Sequence, residues 1–87
     1  SAIQLLQNYP NPFNGATRIR YSLPGSQWVN IRIYDITGRE VSVLVNEIQP
    51  AGEHETRWDP SNTSSGIYFY RLITPNDIQT KKMILLR

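Results

Sequence analysis

Eighty-seven residues without a cysteine fit one small domain that no disulfide or thiolate–metal site holds together. A domain of this size buries only about 60–65% of the surface its unfolded chain exposes, enough for a core but not for a core plus a deep catalytic cavity. Nine Lys and Arg against seven Asp and Glu leave a net charge of +2, too weak and too dispersed to indicate nucleic acid. The longest apolar run, Met83-Ile84-Leu85-Leu86, is far shorter than a membrane span. No signal peptide opens the sequence. For an exported protein, targeting information therefore lies outside this segment or in the domain itself.

Taken in chain order, the patterning has period two and almost no helical periodicity. A short strand is expected at Ile3 to Leu6. Asn8-Tyr9-Pro10-Asn11-Pro12-Phe13-Asn14 follows as a stiff, proline-punctuated stretch. Arg18 to Leu23 alternates cleanly and puts Ile19, Tyr21 and Leu23 on one face before Pro24-Gly25 breaks the strand. Trp28 to Asp35 alternates again, with Val29, Ile31 and Ile33 inward and Trp28, Asn30, Arg32 and Tyr34 on the opposite face. Asp35-Ile36-Thr37-Gly38-Arg39 reads as a tight hairpin in which Gly38 supplies the positive φ. The returning strand, Glu40 to Asn46, places Val41, Val43 and Val45 on one face; Leu44 faces the other way, which predicts a bulge or burial on both sides.

Pro50-Ala51-Gly52 forms the next turn, and His54, Thr56 and Trp58 then alternate with Glu53, Glu55 and Arg57. Asp59 to Gly66 is a loop of turn-formers. Ile67 to Ile73 is apolar on both faces, with Tyr68, Tyr70 and Leu72 on one, and so belongs inside a sheet rather than at a wet edge. After the Thr74-Pro75-Asn76-Asp77 turn, Ile78 to Leu86 closes the series, with Lys81-Lys82 marking it as a lysine-guarded edge strand. About seven strands at turn spacings of about 8–12 residues predict an all-β fold, a seven-stranded antiparallel Greek-key β-sandwich, immunoglobulin-like in architecture only because the Cys…Trp…Cys signature is missing. The expected organisation is a single domain over residues 1–87, a leading segment at 1–15 followed by the sandwich at 16–87.

The chain offers no chemistry of its own. With His54 as its one histidine, neither a Ser-His-Asp triad nor a multi-histidine metal site can form within it. Asp35, Asp59 and Asn62 carry oxygens but lack the dense acidic spacing of a calcium loop, and Asp59 is read as holding its turn. Asn62-Thr63-Ser64 fits a glycosylation sequon, a three-residue match common by chance. No catalytic residue, metal or cofactor is assigned, and no enzymatic activity is expected.

Five motifs occur in order: Asn8-x-Pro10-Asn11-Pro12-Phe13-Asn14, Ile33-Tyr34-Asp35-x-x-Gly38-Arg39-Glu40-Val41, Trp58-Asp59, Ser65-Gly66-Ile67-Tyr68-Phe69-Tyr70-Arg71-Leu72 and Lys81-Lys82-Met83-Ile84-Leu85-Leu86. Each is weak alone. Together, from about Leu5 to Arg87, they resemble the type A C-terminal sorting domain of the bacterial type IX secretion system. The nearest confusable fold is the immunoglobulin-like module of the flagellar hook-capping protein. The resemblance implies a sandwich at the C-terminus of a larger exported cargo protein, recognised by the outer-membrane translocon and directed through the periplasm to the cell surface or medium. In such proteins a sortase-like surface peptidase often removes the domain and attaches the cargo to lipopolysaccharide. The matching motif residues are Pro10, Asn11 and Pro12, Gly38 and Arg39, Gly66 and Tyr68, and Lys81 and Lys82. Two departures stand out: Gly15-Ala16, where a Pro-Ser or Ser-type pair is commoner, and Trp28, at a position usually polar or charged.

These residues have structural readings too. Pro10 and Pro12 stiffen the chain and lack the N–H that a central ladder needs, Gly38 and Gly66 serve the backbone, and Tyr68 is core with its hydroxyl bonded. A motif of this kind acts by making the fold that the translocon reads. The apolar, lysine-marked last strand also suggests strand addition to the translocon at its free edge, an idea that pairing of Met83 to Leu86 on both sides would exclude. Trp28, Arg32 and Tyr34 form a candidate ligand face that could stack on a sugar or dock the parent protein. The alternatives to a sorting domain are thus a carbohydrate-binding or a purely structural immunoglobulin-like accessory module of a secreted enzyme.

Overall fold

The computed structural model describes residues 2–87. Seven strands form: β1 (Gln4–Leu5), β2 (Thr17–Leu23), β3 (Gln27–Tyr34), β4 (Glu40–Gln49), β5 (Gly52–Trp58), β6 (Gly66–Thr74) and β7 (Asp77–Leu85). They make a three-stranded sheet in the order β1-β2-β5 and a four-stranded sheet in the order β4-β3-β6-β7, with every strand pair antiparallel. The expected seven-stranded antiparallel sandwich is what these strands build. β4 lies beside β3, whereas the constant-type immunoglobulin layout sets the fourth strand beside the fifth. No described residue is helical, so no helix is long and apolar enough to cross a membrane.

The period-two pattern puts one face of each sheet into a shared core. Ile19, Tyr21 and Leu23 of β2, Val29, Ile31 and Ile33 of β3, Tyr70 and Leu72 of β6 and Met83 and Leu85 of β7 are all buried there. β6, the most apolar strand, is central, between β3 and β7. At one end of the core Trp58 meets Phe13 at 5.9 Å and Tyr68 at 5.5 Å between ring centroids. Both contacts are tilted or edge-on, the arrangement that aromatic quadrupoles favour.

β4 differs from its expected face assignment. Two register shifts against β3 leave Leu44 and Val41 as extra residues, since Ile31 pairs with Val45, Arg32 with Val43, Ile33 with Ser42 and Tyr34 with Glu40. Each extra residue flips the strand's alternation. Val45 therefore points into the core and Leu44 packs against it, while Val41 and Val43 are exposed on the outer face. The bulge at Leu44 was legible; its effect on the two preceding valines was not. β4 also runs three residues beyond Asn46, because Gln27, Trp28 and Val29 offer a ladder to Gln49, Ile48 and Glu47.

The leading segment is bound into the sandwich on both sides. Leu5 and Gln4 pair with Tyr21 and Ser22, and Tyr9 exchanges two backbone hydrogen bonds with Arg18. Tyr70, buried in the opposite sheet, donates its hydroxyl to the Leu6 carbonyl (2.7 Å) and accepts the Asn8 N–H (2.8 Å). Further along, Phe13 bridges β7 in parallel: its N–H donates to Ile84 O (3.0 Å) and its carbonyl accepts from Leu86 N–H (2.8 Å). The Asn11 side-chain oxygen accepts the Ile84 N–H, and the Gln7 amide donates to Lys82 O. The last part of β7 is thus paired on both sides, by β6 and by the leading segment. Simple strand addition at Met83 to Leu86 is excluded, because the backbone groups that it would use are already bonded.

Candidate functional site

The β3–β4 hairpin is built around one carboxylate. Asp35 Oδ1 accepts from the Thr37 N–H (2.9 Å), the Thr37 hydroxyl (2.6 Å) and the Arg39 N–H (3.0 Å), and Oδ2 lies 3.2 Å from Arg39 Nε. The Gly38 N–H donates to Asp35 O, and the Asp35 N–H to Arg39 O. The Thr37 hydroxyl bond, followed by the two backbone amides and the Arg39 charge, holds the Asp35 carboxyl below its ordinary pKa. Closing so short a loop needs Gly38 at φ 88°, where a side chain would strain the backbone. Ile36 and Arg39 are carried outward on the tip and are strongly exposed.

Facing this hairpin is the β5–β6 loop. Between them opens a cleft of about 490 Å³, lined by residues of the hairpin and by Asn62 to Tyr68. Gly66 begins β6 opposite Leu85, and the Tyr68 hydroxyl donates to Ser64 O at 2.7 Å, which pins the loop to the core. Arg87 closes the loop's other side, its Nε donating to Thr63 O (2.6 Å) and its N–H to Ser65 Oγ (2.8 Å).

The leading motif lies at the same end. Pro10 and Pro12 are exposed and follow cis peptide bonds, while Asn11 holds Ile84 as described. Behind them the buried Asn8 donates its amide to Thr17 Oγ1 (2.9 Å) and Pro10 O (3.2 Å), and Thr17 Oγ1 donates to the same Pro10 carbonyl (2.9 Å). Arg39, Gly66 and Tyr68, far apart in sequence, line this one cleft, with Gly38 in the same hairpin; Asn11 reaches Ile84, the partner of Ile67, while Pro10 lines a separate depression with Arg18, Arg20 and Glu55. Lys81 and Lys82 do not line that cleft. They sit along β7 opposite Tyr70 and Phe69, with Lys81 half-buried toward the leading segment's side and Lys82 exposed on the outer face.

Trp28, Arg32 and Tyr34 share the outer face of the four-stranded sheet, as the alternation predicted. Trp28 stands six residues from Tyr34 along β3, roughly 20 Å away, and is 45% exposed. His54 is the half-buried strand residue that its pattern implied: its ring stacks on Tyr21 and its Nε2 lies 2.7 Å from Pro50 O. Several contributors escaped the sequence reading. Asn8, Thr17 and Tyr70 form the buried polar anchor, and no spacing rule joins residues 62 positions apart. Asp35 did carry a signal, as a turn-forming acid two residues before a threonine.

A family model described as "Secretion system C-terminal sorting domain" matches residues 7–86, nearly the whole chain. No curated protein and no solved structure gives a significant match. A family of sorting signals is not a catalytic family, and the matched span covers the leading motif, the hairpin, the loop and the last strand alike. The chain belongs to this family, the C-terminal sorting domains of type IX secretion.

Proposed function

We propose that the domain carries its cargo through the outer-membrane type IX translocon to the cell surface or medium after periplasmic transit, and that the translocon reads the pole carrying the hairpin and the β5–β6 loop. One observation supports this reading most: Arg39 of the hairpin and Gly66 and Tyr68 of β6, scattered in sequence, line a single cleft. The closed edge of β7 supports the same view, since a partner finds shaped surface at that end rather than a strand waiting to be paired. A sortase-like peptidase acting afterwards would cut in the chain preceding the sandwich, where the cargo joins, and leave the pole untouched.

The test is delivery of a fluorescent reporter fused to residues 1–87 in a type IX-competent host. The unmodified fusion should reach the surface. Arg39→Ala removes an exposed side chain and should cut delivery while the purified domain keeps its unfolding midpoint. A fusion retained inside the cell, or export that survives deletion of the domain from its own cargo, would refute the reading. Lys81→Glu/Lys82→Glu is the companion variant: a loss of delivery equal to that of Arg39→Ala would move recognition from the pole to β7.

A further inference from the structure

The outer face of the four-stranded sheet breaks a local rule. Arg32 of β3 and Arg71 of β6 are direct cross-strand partners, an arrangement of like charges that destabilises a sheet. Arg32 is compensated, since its Nε donates to Asn30 Oδ1 at 2.8 Å and its guanidinium pairs with Glu40. Arg71 is not. Its guanidinium lies over the Tyr34 ring at 4.8 Å, its Nε reaches Thr80 Oγ1 only at 3.4 Å, and no carboxylate among the described residues is within ion-pair distance. Lys82, on the same face, adds a third cation against the single carboxylate of Glu40. A sheet that keeps two arginines side by side with a carboxylate for only one of them offers the other to an anion.

The rest of the face specifies what kind of anion. Along β3 run Trp28, Asn30, Arg32 and Tyr34, alternate residues about 7 Å apart. A shallow depression beside them is lined also by Asn46, Ile73 and Pro75. Asn30 forms its floor and is held from both sides, by Arg32 and by its own bond to Asn46 Oδ1 (3.2 Å), so its geometry is fixed before any ligand arrives. An exposed indole presents a flat apolar surface to the C–H face of a sugar ring. The guanidinium groups present paired donors to hydroxyls and carboxylates, while Asn30, bonded to Arg32 and Asn46, sets where Arg32 stands. The outer face of the other sheet has no such aromatic row; Arg18, Arg20, Glu53, Glu55 and Arg57 dominate it.

We infer that the outer face of β3 and β6 is a binding site for an acidic oligosaccharide, with Trp28 stacking one ring and Arg71 and Arg32 taking a carboxylate of another. The occupant is a glycan rather than a protein because polar and aromatic side chains alternate along the depression, Arg32 and Asn46 beside Trp28 and Tyr34, whereas a protein hot spot is desolvated and apolar at its centre. This inference stands apart from the sorting pole and does not rest on it.

The probes are polygalacturonate and alginate, which are carboxylated, and dextran, which is neutral. Affinity gel electrophoresis measures retention, and acrylamide quenching reads the site directly, since Trp28 is exposed and the second tryptophan, Trp58, is buried. Either acidic polymer should retard the domain and shield Trp28, and added salt should weaken the effect. Trp28→Ala and Arg71→Gln should each lower the affinity about tenfold or more, the loss expected for one charge-assisted or stacking contact. Both side chains point away from the core, so circular dichroism and unfolding midpoints should stay near those of the parent. Three results would overturn the inference: no retention by either acidic polymer, equal retention by dextran, or retention that survives Trp28→Ala. A concentration-dependent dimer dispersed by Trp28→Ala would overturn it too, by assigning the face to a second copy of the chain.

Discussion

Tyr70→Phe isolates the contact that fastens the leading segment to the sandwich. The substitution keeps the ring, so the core keeps its packing, and only the hydroxyl is lost. That oxygen bonds two backbone groups, the buried Asn8 N–H and the partly buried Leu6 carbonyl. Each group left without a partner costs about 1–3 kcal/mol. Partial repair by water at the rim favours the lower end, for a combined loss of about 2–4 kcal/mol. For a domain whose whole stability is on the order of 5–10 kcal/mol, that is a large share, and it lowers the melting midpoint by about 10–20 °C. Urea unfolding of parent and variant measures the difference, with an unchanged m-value showing that the folded body is the same size. Amide exchange at Asn8 should accelerate more than exchange in β3 or β6, because its acceptor is the atom removed. A loss below about 0.5 kcal/mol, or an Asn8 amide as protected as before, would refute the role assigned to the hydroxyl.

The same tyrosine predicts an alkaline limit. Burial pushes Tyr70 up to about 12 from the ordinary value of 10.0. Between those values the unfolded chain ionises the phenol while the folded chain keeps its proton, so the folded state binds more protons and stability falls as pH rises. The Tyr70 contribution is complete below about pH 10 and is lost on the way to about pH 12. Burial also raises Tyr21, with the same sign, and Tyr70→Phe should leave that part of the slope in place.

Three further outcomes follow from the geometry. Gly38→Ala should cost about 1–2 kcal/mol from backbone strain alone, since no atom lies within 4 Å of the added Cβ; a neutral result in thermal unfolding would mean that the hairpin relaxes away from φ 88°. Asp35→Asn should flatten the acid limb of the stability curve, because the lowered Asp35 pKa contributes stability above the ordinary carboxylate pKa that is lost as pH falls through the folded value; an unchanged limb in unfolding scans below about pH 4 would refute it. Trp58→Ala removes the centre of the Phe13–Trp58–Tyr68 cluster and should cost about 3–5 kcal/mol, seen as loss of a cooperative transition at 37 °C.

What the sequence made legible, and what it hid, divides along contact range. Val29, Ile31 and Ile33 announce their face by alternation, and Gly38 announces its turn, because both signals are written in neighbouring residues. Tyr70 looks like one more core aromatic, since nothing near it in sequence shows that its oxygen serves Leu6 and Asn8. Val41 and Val43 look buried because alternation assumes an unbroken ladder; the residues that break it lie in β4's pairing with β3, not in β4 alone. The polar anchor of Asn8, Thr17 and Pro10 was hidden for the same reason, as its members meet only once Tyr9 has paired with Arg18.

The sheet edges bear on how such a domain is handled. An open edge strand invites pairing with any other chain, and each of the four edges here is blunted differently. β4 carries two bulges, β1 is two residues long, and β5 presents Glu53, Glu55 and Arg57. β7 is covered at its far end by the leading segment and bears Lys82 nearby. The last cover differs in kind from the others, because it depends on folding of the opposite end of the domain. If residues 3–13 are undocked, Ile84 and Leu86 lose their outer partners, Phe13 leaves the aromatic cluster, and the apolar edge of β7 is bared beside the cleft. A partner that reads the pole therefore meets the correct surface only when both ends of the domain have folded together. On the proposed reading, recognition of shape at that pole would discriminate a finished domain from an unfinished one, which a linear tag at the last strand could not do.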